Sequence, residues 1–201
     1  MTLEDYLAAL ASDAPPPGGG SAATIVAASG AALVAMVARI CAVNPRYADR
    51  AGLCAELTES ADALREQLLN ARARDEAAFE AVVAAQALPK TDERRGALLE
   101  SALARAAEEP LHGAALALDV LRLADRALAV PNRNLASDLG CAAEFGAAAL
   151  NACAYNVRVN HRFMRDADTI AAQAARLTDL ERESAALLQR VRDGVAALLS
   201  R

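Results

Sequence analysis

From Ala22 to Val43 the chain is built on alanine with Val, Ile, Leu and Met, and Arg39 is its one charge. The stretch approaches membrane-spanning length, yet Ala and Gly make it only weakly hydrophobic. We read it as the central buried helix of a soluble bundle. A helix that is apolar nearly all round has to be covered on most of its sides. In 201 residues that are 55% hydrophobic but only 3% aromatic, the cover must come from other slender, Ala-rich helices. The expected fold is therefore all-α: a single-domain, up-and-down-like helical bundle over residues 1–201 around a long buried Ala-rich central helix. Packing against a second copy is the simplest way to finish the burial, so a homodimer is expected.

The apolar pattern repeats at helical spacing almost everywhere. It predicts helices over about Leu3 to Ala11, Ser21 to Val43, Tyr47 to Ala87, Glu93 to Ala129, Leu135 to Asn160 and Ala167 to Leu199. Asn44-Pro45 breaks the second from the third, and Thr91 or Asp92 can cap the fourth. Pro110 is expected to kink or interrupt that helix near Glu109.

A net charge of −5 argues against a nucleic-acid partner, which would want a basic face. Partners should be small molecules or other subunits, with no membrane. Cys41, Cys54, Cys141 and Cys153 form no CxxC pair and lie in apolar helical surroundings, so buried reduced thiols in a cytoplasmic protein are expected. The opening Thr2-Leu-Glu-Asp-Tyr6 has no signal-peptide character. His112 and His161 belong to no constellation that would gather around a metal, and read as surface or capping residues.

Ahead of the apolar helix stands Pro15-Pro-Pro-Gly-Gly-Gly-Ser21. Prolines force an extended entry, glycines allow close approach of the backbone, and Ser21 stands where a helix N-cap would. Such a helix start suits a carboxylate, a phosphate or a developing oxyanion; it equally suits a turn that only permits tight packing. No Gly-Lys-Ser/Thr follows, so it is not a Walker loop.

Four further groups can carry chemistry. Asp75 and Phe79 share a helix face, Glu76 turns away from it, and Arg72 and Arg74 are near enough to pair with Asp75; otherwise Asp75 is a solvated carboxylate. Lys90 is the single lysine among 21 basic residues. Its ammonium can lose a proton where arginine cannot, though an Arg-biased chain must leave its rare lysine somewhere. Asn132, Asn134, Ser137 and Asp138 gather at the start of the fifth helix. Asn151, Asn156 and Asn160 then recur along a helix they do not favour, and must hydrogen-bond either a ligand or another helix. Neither Ser21 nor any cysteine has an obvious sequence-adjacent base, so nucleophilic catalysis is unsupported.

Taken in order, PPPGGGSAA, DEAAF at Asp75 to Phe79, LPKTD at Leu88 to Asp92, AAEEPL, and PNRNLASDLG through NVRVN at Pro131 to Asn160 resemble the cyclodeaminase/cyclohydrolase family. This family comprises the C-terminal domain of formiminotransferase-cyclodeaminase and stand-alone methenyltetrahydrofolate cyclohydrolases. The likeness covers roughly residues 3 to 165. It implies an all-helical dimer acting on the one-carbon unit that bridges N5 and N10 of tetrahydrofolate, a folate derivative as substrate, and no metal. It also implies that Gly18, Gly19, Gly20 and Ser21 form a substrate-side loop. Asp75, Lys90 and Asp138 would then act as base, charge partner and proton donor, with Asn132, Asn156 and Asn160 reading the pterin edge. Three classes remain open: cyclohydrolase, favoured because no formiminotransferase domain is fused here; ammonia-releasing cyclodeaminase; and a relative with a changed substrate or a non-catalytic helical dimer.

Overall fold

The computed structural model describes residues 2–14 and 16–200, so Pro15 of the proline run lies outside the described residues. Six α-helices make up the described chain, with no strand among the described residues: α1 Leu3–Leu10, α2 Gly19–Ala42, α3 Ala51–Ala87, α4 Arg95–Ala127, α5 Ala136–His161 and α6 Ala167–Leu199. The start signals are local. Thr2 and Asp5 form a reciprocal capping box on α1, and Asp166 accepts from the amides of Asp168 and Thr169 to open α6. Asn44 and Asn132 accept from the amides two residues on, which sets short 3-10 turns at Pro45–Arg50 and Arg133–Leu135 ahead of α3 and α5. Helix 3 therefore begins at Ala51 rather than near Tyr47.

Two poles organise the bundle. The glycine run, Asp75, Ala106 and Asn160 meet at one pole. At the other, the Asn132 amide reaches Cys41 Sγ at 3.5 Å, and Asn44, Asn132 and Leu199 share a cleft. α2, α4 and α6 thus run one way and α3 and α5 the other, the up-and-down arrangement expected. α2 lies at the centre, its Ala27, Ala31, Val34 and Cys41 fully buried against Leu57, Leu68, Leu118, Leu121 and Leu150. Small residues set the spacing: a Cβ on Gly30 would stand 3.0 Å from the Ala142 carbonyl and 2.9 Å from Val120, and one on Gly146 3.0 Å from the Ala117 carbonyl. α2 is long and apolar enough to cross a membrane, and half of its apolar window is buried inside the protein.

Pro110 does not interrupt α4, which passes through it as a continuous helix. Proline at this position withdraws the N–H that the Ala106 carbonyl would have received. That carbonyl accepts instead from Asn160 Nδ2 on α5 at 2.8 Å. Three of the four cysteines are buried as expected, but Cys141 is exposed, because it falls on the outward face of α5.

Candidate active site

Gly18, not Ser21, is the N-cap of α2, and no side chain caps the helix from that position. The cap comes from across the bundle. The Asp75 carboxylate on α3 lies over the first turn, so close that a Cβ on Gly20 would stand 2.5 Å from its Oδ1. Glycine at 20 is what lets α3 deliver a carboxylate to the positive end of α2. A cavity of about 200 Å³ opens beside it, walled by the glycine loop and Pro16, by Asp75, Glu76 and Phe79 of α3, by Ala106 of α4, and by Asn156 and Asn160 of α5.

Burial, helped by the charges of Glu76 and Glu109, pushes the Asp75 carboxyl up to about 6 against the opposing pull of the Ser21 amide. An acid poised there can both take and return a proton near neutral pH. Behind it, burial and the charge of Asp75 push the Cys153 thiol up to about 12, which makes it packing rather than a nucleophile.

Ser21 is fully buried in the first turn of α2; it is not part of the cavity lining, and its side chain joins a polar chain. Its Oγ donates to Glu76 Oε1 at 2.7 Å, so the 2.8 Å contact with the Tyr6 hydroxyl is Tyr6 donating to Ser21. Arg72 donates to both oxygens of Glu76, at 3.1 and 3.4 Å, and its guanidinium lies 5.8 Å from the Tyr6 ring centre. Arg74 pairs with Glu109 at 3.0 Å. Neither arginine serves Asp75, contrary to the sequence reading, and Glu76 does not turn away: the cavity is wide enough to receive two neighbouring positions of α3. Glu76 and Tyr6 are the site residues that helical spacing missed. The Arg72/Glu76 spacing of four was a signal for the pair, but only the fold reveals Ser21 as their partner.

The two asparagines arrive by different routes. Asn156 Nδ2 bonds the Ala152 carbonyl at 2.9 Å, and a Cβ on Gly19 would lie 3.4 Å from it. Asn160 spends both amide hydrogens, on the Ala106 carbonyl and on the Asn156 carbonyl at 2.9 Å, leaving its Oδ1 to offer a ligand. One side chain thus joins two helices and keeps a free acceptor beside the cavity.

Besides Ser21, three predicted residues are not brought to this cavity. Asp138 begins α5, about 27 Å along the helix from Asn156. Asn132 is at that same far pole, capping its turn and lining the cleft with Asn44 and Arg46. Lys90 is exposed on the turn after α3, beyond a helix end about 18 Å past Asp75. Sequence order had grouped them, and helix length separates them. Among the described residues no three His, Cys, Asp or Glu side chains gather as a metal site would require.

Residues 2–179 match the family model described as formiminotransferase-cyclodeaminase. The chain belongs to this family. A methenyltetrahydrofolate cyclohydrolase of Methylorubrum extorquens is 36% identical over 198 residues, covering 96% of this chain and 95% of that protein. A formiminotetrahydrofolate cyclodeaminase of Thermotoga maritima, known from its crystal structure, superposes with a TM-score of 0.91 at 26% identity, over 99% of this chain and 98% of that one. Both likenesses extend over nearly the whole of this family member.

Proposed function

We propose that the protein is a folate one-carbon enzyme, a methenyltetrahydrofolate cyclohydrolase that converts 5,10-methenyltetrahydrofolate and water to 10-formyltetrahydrofolate. The observation that carries this reading is the Asp75 carboxyl, raised to about 6 over the start of α2 in a cavity that two carboxylates and no lysine or arginine line among the described residues. Such a cavity suits a cation, and the methenyl bridge is a cationic amidinium. Asp75 takes a proton from water as its oxygen bonds to the bridging carbon, giving a neutral tetrahedral adduct. The C–N5 bond then breaks, N5 receives the proton held by Asp75, and the adduct hydroxyl loses its own proton to solvent as the formyl group forms on N10. Asn156 and the Asn160 Oδ1 would read the amide-like edge of the pterin, and the glycine loop would give it a flat floor. In this reading Lys90, Asp138 and Asn132 take no part in the chemistry of a single subunit.

The test is the loss of methenyltetrahydrofolate absorbance on adding purified protein. Acceleration that follows an acid limb near pH 6 is expected; no acceleration overturns the reading. The likeness to the Thermotoga cyclodeaminase supports a second reaction at the same cavity, N10 attacking a formimino carbon on N5 with departure of ammonia. Ammonia release from formiminotetrahydrofolate, without methenyl turnover, would select it.

The working form is a homodimer in this proposal. Val26 and Ile40 on α2, Val43 at its C-terminal cap, and Phe145, Tyr155 and Val159 on α5 are exposed, Tyr155 by 72% and Val43 by 84%. They fall on stripes of two helices that pack directly on each other, too many large apolar groups on one face to be left to water.

A further inference from the structure

We propose that Glu76 is a second catalytic carboxylate of this site, the standing negative charge that holds the cationic one-carbon unit while Asp75 moves the proton, and that Tyr6, Ser21 and Arg72 are the positioning residues that aim it. The inference rests on the folate reading above and adds a residue to it.

The geometry divides the two neighbouring acids. Asp75 receives one hydrogen bond, from the Ser21 amide, whereas Glu76 is gripped from two sides. Ser21 Oγ donates to one oxygen at 2.7 Å and Arg72 Nη1 reaches both, at 3.1 and 3.4 Å. The grip is braced in turn, since Ser21 is fully buried and receives the Tyr6 hydroxyl at 2.8 Å. Tyr6 itself is the buried residue of α1. α1 has no other fully buried residue among those described, and the hydroxyl of this one joins the chain of bonds behind the cavity wall. A carboxylate held this way has little freedom to follow a proton, and its free edge lines the cavity beside Asp75. The pairing of one fixed and one titrating carboxylate divides labour between charge stabilisation and proton transfer.

Asp75 reports on this arrangement. The groups that face it are Glu76 on its own helix, Glu109 from α4, Cys153 from α5, Tyr6 from α1 and the Ser21 amide from α2. Of these, Glu76 and Glu109 are the acids that raise it, and Glu109 is already paired with Arg74. Removing the charge of Glu76 should therefore lower the midpoint at which Asp75 ionises.

Glu76→Gln is the decisive variant, because the amide oxygen still accepts from Ser21 and Arg72, while the charge and the second, longer contact with Arg72 are lost. The expected result is a fall in kcat of roughly 10- to 100-fold on methenyltetrahydrofolate and a shift of the acid limb to lower pH, with circular dichroism unchanged. Tyr6→Phe should lose several-fold in kcat with the limb left in place, because the charge of Glu76 remains and only its brace is removed. A carboxylate that only fastened helices would still move the limb through its charge but would leave kcat on the plateau unchanged, so Glu76→Gln with wild-type plateau kcat overturns the proposal while the folate reading stands. If the wild-type protein turns over neither folate, that reading fails. The Asp75 carboxyl can then be titrated by ¹³C NMR in wild type and Glu76→Gln: a lower midpoint in the variant supports the coupled pair, and an identical midpoint overturns it.

Discussion

A hydrogen atom on Gly20 is the narrowest tolerance at the site. The Cβ of an alanine there would sit 2.5 and 2.7 Å from the two oxygens of Asp75, whereas one on Gly18 meets nothing within 4 Å. Asp75 can swing aside, so Gly20→Ala should fold well and lose turnover by about 100-fold or more, the scale of a misplaced catalytic group. Gly18→Ala should stay within a few-fold of wild type. Steady-state kinetics and thermal melts of the two variants, run side by side, check this. A second residue-scale expectation concerns stability. Because the folded-state carboxyl of Asp75 is raised to about 6 from 3.8, its ionised form costs stability: nothing below pH 4, progressively more between 4 and 6, and the full amount above. Asp75→Asn should abolish activity yet melt higher at pH 7.5, by on the order of 2 kcal/mol after allowance for partial solvent screening, and show no gain at pH 4.

Among the elements, the joint between α4 and α5 is the instructive one. Pro110 leaves the Ala106 carbonyl without its helical donor, and Asn160 supplies one from the neighbouring helix. Asn160→Ala should therefore destabilise by about 1–3 kcal/mol, the cost of an orphaned carbonyl. Pro110→Ala returns an N–H to that carbonyl, so the double variant should recover part of the loss. Denaturant melts of the four proteins in this cycle measure the coupling, and strict additivity would refute it. The joint also shows what helical periodicity can and cannot reveal. The apolar stripes of α2 and α6 were legible as helices from spacing alone, and Pro110 was legible as a defect. Its consequence was not, because the repair comes from a residue fifty positions later in the chain. Asp75, Asn156 and the glycines were legible as a set through the family likeness. Glu76 was hidden because a helical wheel assigns adjacent residues to different faces, while a cavity at a helix crossing receives both. Lys90, Asp138 and Asn132 were misplaced for the opposite reason: motif order carries no distance, and helices of this length send neighbouring motifs to opposite poles.

At the scale of the whole molecule, polar lacing and apolar surface are segregated. α6 is tied to its neighbours by ion pairs such as Arg122–Glu183 at 2.7 Å, Arg192–Glu144 at 2.7 Å and Arg158–Glu181 at 2.8 Å, exposed pairs that each contribute little on their own. The outer stripes of α2 and α5 have no such covering. We expect the purified protein to sediment as a dimer, and Tyr155→Glu to shift it to a monomer with its helical signal intact; a monomeric wild type would overturn that assembly. One residue that plays no part at the cavity still gives the molecule a practical property. The sole lysine projects from an exposed turn past the end of α3, so an amine-reactive dye finds one side-chain address. That address is well clear of Asp75, and a label on it can report motion of the α3 tip without blocking the cavity.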